Sequence, residues 1–298
     1  MSLVATAITK RFRDVTAVDN LSFSVAEGSL FGFLGPNGAG KTTTMRVVLN
    51  IIKPDQGQVT WKGRLFDKLE RGFFGYLPEE RGLYPKMRVA EHLEFLGRIH
   101  GLDRTKARME TARWIERFDL GELSHKRVEE LSKGNQQKVQ TIGTMIHDPE
   151  LLVLDEPFGG LDPVNTALLK EVLMESHKRG RTIIFSSHRM DQVEEICDDI
   201  VLINKGRLVL EGNLRQIKKS MGRQILRISL EGKEDFWARI PGLQFLASRA
   251  DYHEFRMDDG VDPNHVLSEA MNAGRVIRFE LVEPSLDQIF VEKVGAGA

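Results

Sequence analysis

The sequence predicts an α/β fold: a large N-terminal domain over residues 1–215, built on a mostly parallel sheet with an antiparallel β-subdomain, then a small α+β domain over 220–298. Three observations carry that expectation. An apolar run, Leu30 to Leu34, feeds the glycine-rich loop Gly35 to Thr42 (GPNGAGKT), and a helical stretch follows. A second apolar run, Leu151 to Leu154, ends on the acid pair Asp155-Glu156. Beyond residue 213 the pattern becomes βαββαβ, the order of a ferredoxin-like unit.

Taken in order, residues 3–34 alternate apolar and polar, with Leu21, Phe23 and Val25 on one side and Ser22 and Ser24 on the other. A helix is expected over Thr42 to Ile52, stopped by Pro54, Asp55 and Gly57. From Val89 to Phe118 the spacing turns helical: Val89, Leu93, Leu96 and Ile99 form one stripe, and Ala107, Thr111, Trp114, Ile115 and Phe118 the next. These predict an inserted helical subdomain at about 86–130, the aromatic stripe reading as a buried face. Strands at Leu151 to Leu154 and Thr182 to Phe185 flank a helix at Asn165 to Arg179, the βαβ rhythm of a parallel sheet. Ile200 to Asn204 then turns at Lys205-Gly206 into Arg207 to Glu211. Asn213 to Gly222 reads as a basic helical linker. After it come strands at 224–230, 244–248, 253–257 and 276–282, with helices at Glu234 to Arg239 and Asn264 to Ala273.

Composition narrows the classes. With 298 residues, 41% hydrophobic and 29% charged, the chain has material for one large core and a smaller companion. A net charge of -1 lacks the basic excess that binds nucleic acid. No apolar run approaches the roughly 18 residues of a membrane span, and no hydrophobic signal core is visible near the start, so a soluble, unexported chain is expected. The one cysteine, Cys197, excludes an internal disulfide framework, fits a reducing cytosol and reads as a packing residue.

The chemistry gathers in a few stretches. In GPNGAGKT, Gly35, Gly38 and Gly40 let successive N–H groups face phosphate oxygens at the positive end of a helix. Lys41 then reaches the β- and γ-phosphates and the Thr42 hydroxyl ligates Mg²⁺, the arrangement of a P-loop. Asp155, closing an apolar strand, is placed to hold the metal, while Glu156 beside it projects elsewhere and can polarise an attacking water. In LSKGNQQ, Leu131 to Gln137, a hydroxyl and a small residue open another helix. Ser132 taken alone reads equally well as an N-cap.

The ordered set GPNGAGKT, LSKGNQQ, LLVLDEP, GGLD and SSH resembles the nucleotide-binding subunits of ABC transporters, over roughly residues 1–215. The resemblance implies an ABC-type P-loop NTPase domain that dimerises head to tail around two ATP molecules. It assigns the P-loop residues Gly35, Asn37, Gly38, Ala39, Gly40, Lys41, Thr42 and Thr43 to ATP, and Ser132 and Gly134 to the γ-phosphate held by the other copy. His188 in SSH matches a switch histidine and Asp162 in GGLD the loop that couples two sites. Phe12 matches the aromatic that stacks on adenine, a place often held by tyrosine, with core packing its competing reading.

The sequence departs from the family pattern at Lys133 and Asn135, where glycine and glutamine are commoner, which makes that site more positive. It departs also at Glu79, which replaces the glutamine of the Q-loop. A carboxylate there is expected to bind the metal, directly or through water, or else to face solvent in a loop. The tail EPSLDQIFVEKV resembles that of drug- and sodium-export ABC subunits, favouring export. The implied partners are a second copy and a separate multi-span permease docking near Glu79 to Pro85 and the helical subdomain. That places the chain on the inner face of the cell membrane, with no nucleic acid expected. The competing function, a soluble ABC-type ATPase acting on the ribosome or DNA, is opposed by the single cassette, the absence of a coiled-coil insertion and the neutral charge. A nucleotide-binding regulator without turnover is opposed by Glu156 and His188.

Overall fold

The protein was analysed as a computed structural model describing residues 2–66, 72–80, 82–220, 224–232, 235–258 and 260–295, and its contacts divide the chain after Gly212 into two units. In the first, parallel strands buried on both faces carry unbroken apolar runs. Strands β3 (Leu30–Leu34), β7 (Leu151–Asp155), β8 (Thr182–Ser187) and β9 (Asp199–Asn204) are of this kind, and β3 pairs in parallel with both β8 and β9. β6 (Phe74–Leu77) extends the sheet beside β7, and β10 (Arg207–Asn213) follows β9 through the Lys205-Gly206 turn, giving the order β10-β9-β3-β8-β7-β6. Gly75 in β6 has no room for a side chain, since a Cβ would stand 2.2 Å from the Thr144 carbonyl oxygen.

An antiparallel sheet, ordered β2-β1-β4-β5, comes from β1 (Leu3–Phe12), β2 (Val15–Val25), β4 (Gln56–Trp61) and β5 (Arg64–Leu65). Phe23, Phe31, Phe33, Met45, Trp61, Val153 and Ile184 join the two sheets in one core. β4 and β6 had no clear alternation in the sequence and went unrecognised there.

The helix after the glycine loop, α1 (Lys41–Val48), is shorter than the expected Thr42 to Ile52. Asn50 at φ 53° turns left-handed, its N–H donates to Val47 O at 3.0 Å and that of Ile51 to Arg46 O at 2.9 Å. This pair of bonds closes a helix two turns on, before Pro54 is reached. The helical insertion holds α2 (Val89–Ile99) and α3 (Arg104–Arg117), which pack together. Val89, Leu93, Ala107, Thr111 and Phe118 are buried as the stripes predict, but Ile99 at the end of α2 is exposed. Helices α4 (Lys133–Met145), α5 (Pro163–Lys178) and α6 (Met190–Ile196) complete the unit.

The second unit opens with α7 (Leu214–Ser220), the basic segment, of which Gly222 lies outside the described residues. Its sheet, β12-β13-β11-β14, is formed by β11 (Gln224–Gly232), β12 (Leu243–Ser248), β13 (His253–Met257) and β14 (Gly274–Val282), each pair antiparallel. With α8 (Pro263–Ala273) this is the ferredoxin-like order, closed by α9 (Leu286–Gly295). Leu226, Ile228, Phe255, Met257, Val266 and Ala270 form its core. The helix expected at Glu234 to Arg239 is only a 3₁₀ turn, Phe236–Arg239, with Glu234 outside the described residues. Pro241 and Gly242 directly after it prevent a longer helix.

Candidate nucleotide site

Because parallel strands all run one way, their carboxyl ends collect on one edge, where ligands of open α/β sheets bind. There the loop after β3, the acids at the end of β7 and the turn after β9 meet around a cleft of about 510 Å³, and His188, directly after β8, reaches it only through its bonds to Glu156. Asn37, Gly38, Gly40, Lys41, Thr42, Thr43, Glu79, Asp155, Glu156 and Lys205 line it together with Val15, Thr16 and Ala17.

The loop is kept tight by Gly40, whose φ of 102° is left-handed and whose absent Cβ would stand 2.4 Å from Ala17 O. No side chain caps α1, so its first N–H groups stay available to an anion. Ala39 is buried behind them and accepts the Gly206 N–H at 2.9 Å, while Gly35 lies buried at the loop entrance. Lys41 is buried, and its ammonium donates to Gly35 O at 2.8 Å and Pro36 O at 3.3 Å, 3.6 Å from Glu156 Oε1.

Glu156 sits at φ 50°, a left-handed turn that breaks strand alternation and swings its side chain away from that of Asp155. Its Oε1 accepts the His188 N–H at 2.9 Å and lies 2.8 Å from His188 Nδ1; its Oε2 accepts from Ser187 Oγ at 3.4 Å. The acid is thus aimed by the strand next door. Asp155 is buried, with Oδ1 bound by Ser186 Oγ and Oδ2 buried without any partner. A bare buried carboxylate oxygen is costly unless a cation completes it. With the Thr42 hydroxyl and the exposed Glu79 on the same cleft, the donors are all oxygen, which fits Mg²⁺. No group of three or more His, Cys, Asp or Glu among the described residues could hold a metal unaided, so phosphate oxygens would supply further ligands.

Besides Gly35, Ala39 and His188, four further expected site residues are not part of that lining. Ser132 and Gly134, at the start of α4, are not among those lining the cleft, and Ser132 Oγ accepts the Asn135 N–H at 3.3 Å as an N-cap. Asp162 caps α5, accepting the Asn165 N–H at 2.9 Å, a bond that holds its carboxyl below the usual range. Phe12 is 45% exposed on the β1–β2 hairpin, opposite Val15 of the cleft wall, with Lys10 Nζ 5.5 Å from its ring centre.

Several contributors escaped sequence reading. Ser186 and Ser187 act across strands, Lys205 arrives on a distant turn and Ala17 on strand β2, and Gln140 donates to Pro78 O at 3.1 Å and Glu80 O at 3.2 Å, bracing the loop that carries Glu79. Gln137 similarly donates to Pro157 O at 3.3 Å. Only the serines had a signal, their place directly before His188.

A P-loop on a parallel sheet, an acid pair at a strand end and a histidine against the second acid define an ATP-hydrolysing cassette. Residues 18–159 match the ABC transporter family and 212–294 the C-terminal domain of DrrA1-3-like ATP-binding proteins, and the chain belongs to the ABC transporter ATP-binding subunits. It is 44% identical to the Bacillus subtilis ABC transporter ATP-binding protein YhaQ over 97% of each chain. To the linearmycin resistance ATP-binding protein LnrL of the same organism it is 30% identical over 98% of each. Among solved structures, an ATP-binding subunit of an ABC transporter covers 74% of this chain and 94% of its own at 28% identity, TM-score 0.70. A dimeric bacterial ABC transporter cassette matches in fold, with TM-score 0.67 at 20% identity over 72% of this chain and 99% of its own.

Proposed function

We propose that the chain powers an exporter: two copies close head to tail on two Mg-ATP molecules, and hydrolysis drives a separate membrane permease. The observation that carries this reading is the bond of His188 to Glu156, an acid of the cleft wall, while Ser132 and Gly134 form no part of that wall in the same chain. A second copy supplying Ser132 and Gly134 would complete the γ-phosphate shell.

In this scheme the loop N–H groups and Lys41 hold the phosphates, Lys41 leaving Gly35 O and Pro36 O to do so. Glu156 orients and polarises the attacking water, and His188 keeps the acid aimed and senses the γ-phosphate. Mg²⁺, held by Thr42, Asp155 and Glu79, would neutralise charge developing on the phosphate oxygens. Phe12 supplies an aromatic face for adenine, and Asp162 links the two sites. In this reading the permease is another chain and this one is peripheral on the cytoplasmic side; no helix among the described residues is long and apolar enough to cross a membrane. Export is supported by the C-terminal match to DrrA1-3-like proteins and by the resistance role in the name of LnrL.

The test is Glu156→Gln with Mg-ATP on a sizing column: a shift to twice the mass is expected, and a protein that stays monomeric overturns the sandwich. Co-purification of a multi-span protein from detergent extracts is expected, and recovery of ribosomes instead would favour the soluble machine.

A further inference from the structure

The register of the sheet makes Asp155 of β7 and Ser186 of β8 neighbours on adjacent parallel strands. Both are closed off from solvent, at 1% and 0% exposure. Ser186 Oγ donates to Asp155 Oδ1, and the Glu156 N–H points at both Ser186 O, at 3.2 Å, and Ser186 Oγ, at 3.3 Å. A hydroxyl has one proton to give and two lone pairs to receive with. With the Glu156 N–H directed at its oxygen, the proton of Ser186 is free for the carboxylate, so the chain of bonds has a fixed sense.

That bond settles how Asp155 presents itself. One carboxylate oxygen is occupied, the side-chain torsion is pinned, and Oδ2 remains the buried oxygen without a partner. The same serine helps hold the left-handed turn that separates the two acids. We propose that Ser186 is a positioning residue for the divalent cation: by binding Asp155 Oδ1 and the Glu156 amide, it presents Asp155 Oδ2 as the metal-facing atom. The proposal rests on the reading of Asp155 as a metal ligand, and partners of this kind commonly set both the orientation and the basicity of the group they hold.

The test uses the full chain and follows a fluorescent ATP derivative by anisotropy as MgCl₂ is added, alongside nucleotide binding in EDTA. In S186A the half-saturating Mg²⁺ concentration is expected to rise about 10- to 100-fold, with affinity in EDTA unchanged. S186T, which keeps the hydroxyl, is expected to restore the wild-type value, which a loss of packing alone would not predict. Should S186A fail to fold by thermal melting, S186C, similar in size but a weak donor, is expected to shift the Mg²⁺ requirement the same way. An unchanged Mg²⁺ requirement in the folded variant overturns the role of Ser186. D155N separates the two levels of the claim: if it too leaves the Mg²⁺ requirement unchanged, the metal-ligand reading of Asp155 falls first.

Discussion

Two helix starts in the first unit match phosphate-binding motifs of the family, and they are built in opposite ways. At α1 the backbone alone forms the seat: Gly40 is left-handed, no side chain caps the helix, and the loop bends around a cleft. At α4 the seat is filled by its own furniture, since the Ser132 hydroxyl already accepts the Asn135 N–H and the helix start lies off the cleft. One start is organised to take an anion unaided; the other is stable alone and, in the proposed dimer, would meet a phosphate held by the second copy. This difference is what a shared active centre needs from a single chain.

Removing the acid proposed to activate water should give the largest effect. Glu156→Gln is expected to slow phosphate release by about 10²- to 10⁴-fold with ATP still bound; retention of near-normal turnover would erase the distinction between seat and chemistry. At the first helix start, Gly40→Ala puts a Cβ 2.4 Å from Ala17 O at a φ of 102°. We expect nucleotide affinity to be lost, and chemical denaturation to register a destabilisation of about 1–3 kcal/mol.

The corresponding change at the second start sharpens the contrast. Ser132→Ala is expected to cost about 1 kcal/mol of stability through the lost cap. It should also lower turnover while leaving ATP affinity in dilute, monomeric protein intact. A large drop in that affinity would mean the serine serves its own chain's nucleotide.

The last effect, one of pH-dependent stability and not of turnover, lies in the helical insertion. His92 on α2 is fully buried, neither ring nitrogen has a partner, and loss of solvent pulls its pKa down to about 4. An unfolded imidazole takes a proton near 6.5, so the stabilisation tied to neutral His92 is complete above about pH 6.5 and drains away as pH falls toward 4. Urea titrations should therefore show a steeper loss of stability over that window in the native protein than in His92→Phe.

How much of this could be read from the chain follows from the distances involved. The P-loop, the Asp155-Glu156 pair and His188 announce themselves because each is a local arrangement of residue types beside an apolar run. Ser186 could not be assigned to Asp155, 31 residues away, without knowing that β7 and β8 are paired in that register. Lys205, on the turn after β9, and Ala17, in β2, are brought in by elements whose placement depends on the sheet order. The early stop of α1 depends on Asn50 adopting a left-handed turn, a local choice that the more conspicuous Pro54 obscured. β6 went unseen because Gly75 answers to the carbonyl of Thr144 in a different element.

Gln140 grips two carbonyls of the acid-bearing loop eight residues along α4 from Ser132, a span of about 12 Å of helix. A helix of that length is stiff along its axis, so it behaves as a connecting rod with a hook at one end and the serine at the other. A displacement of the loop around Glu79 that kept both bonds would carry the serine end with it, with no additional messenger between the two.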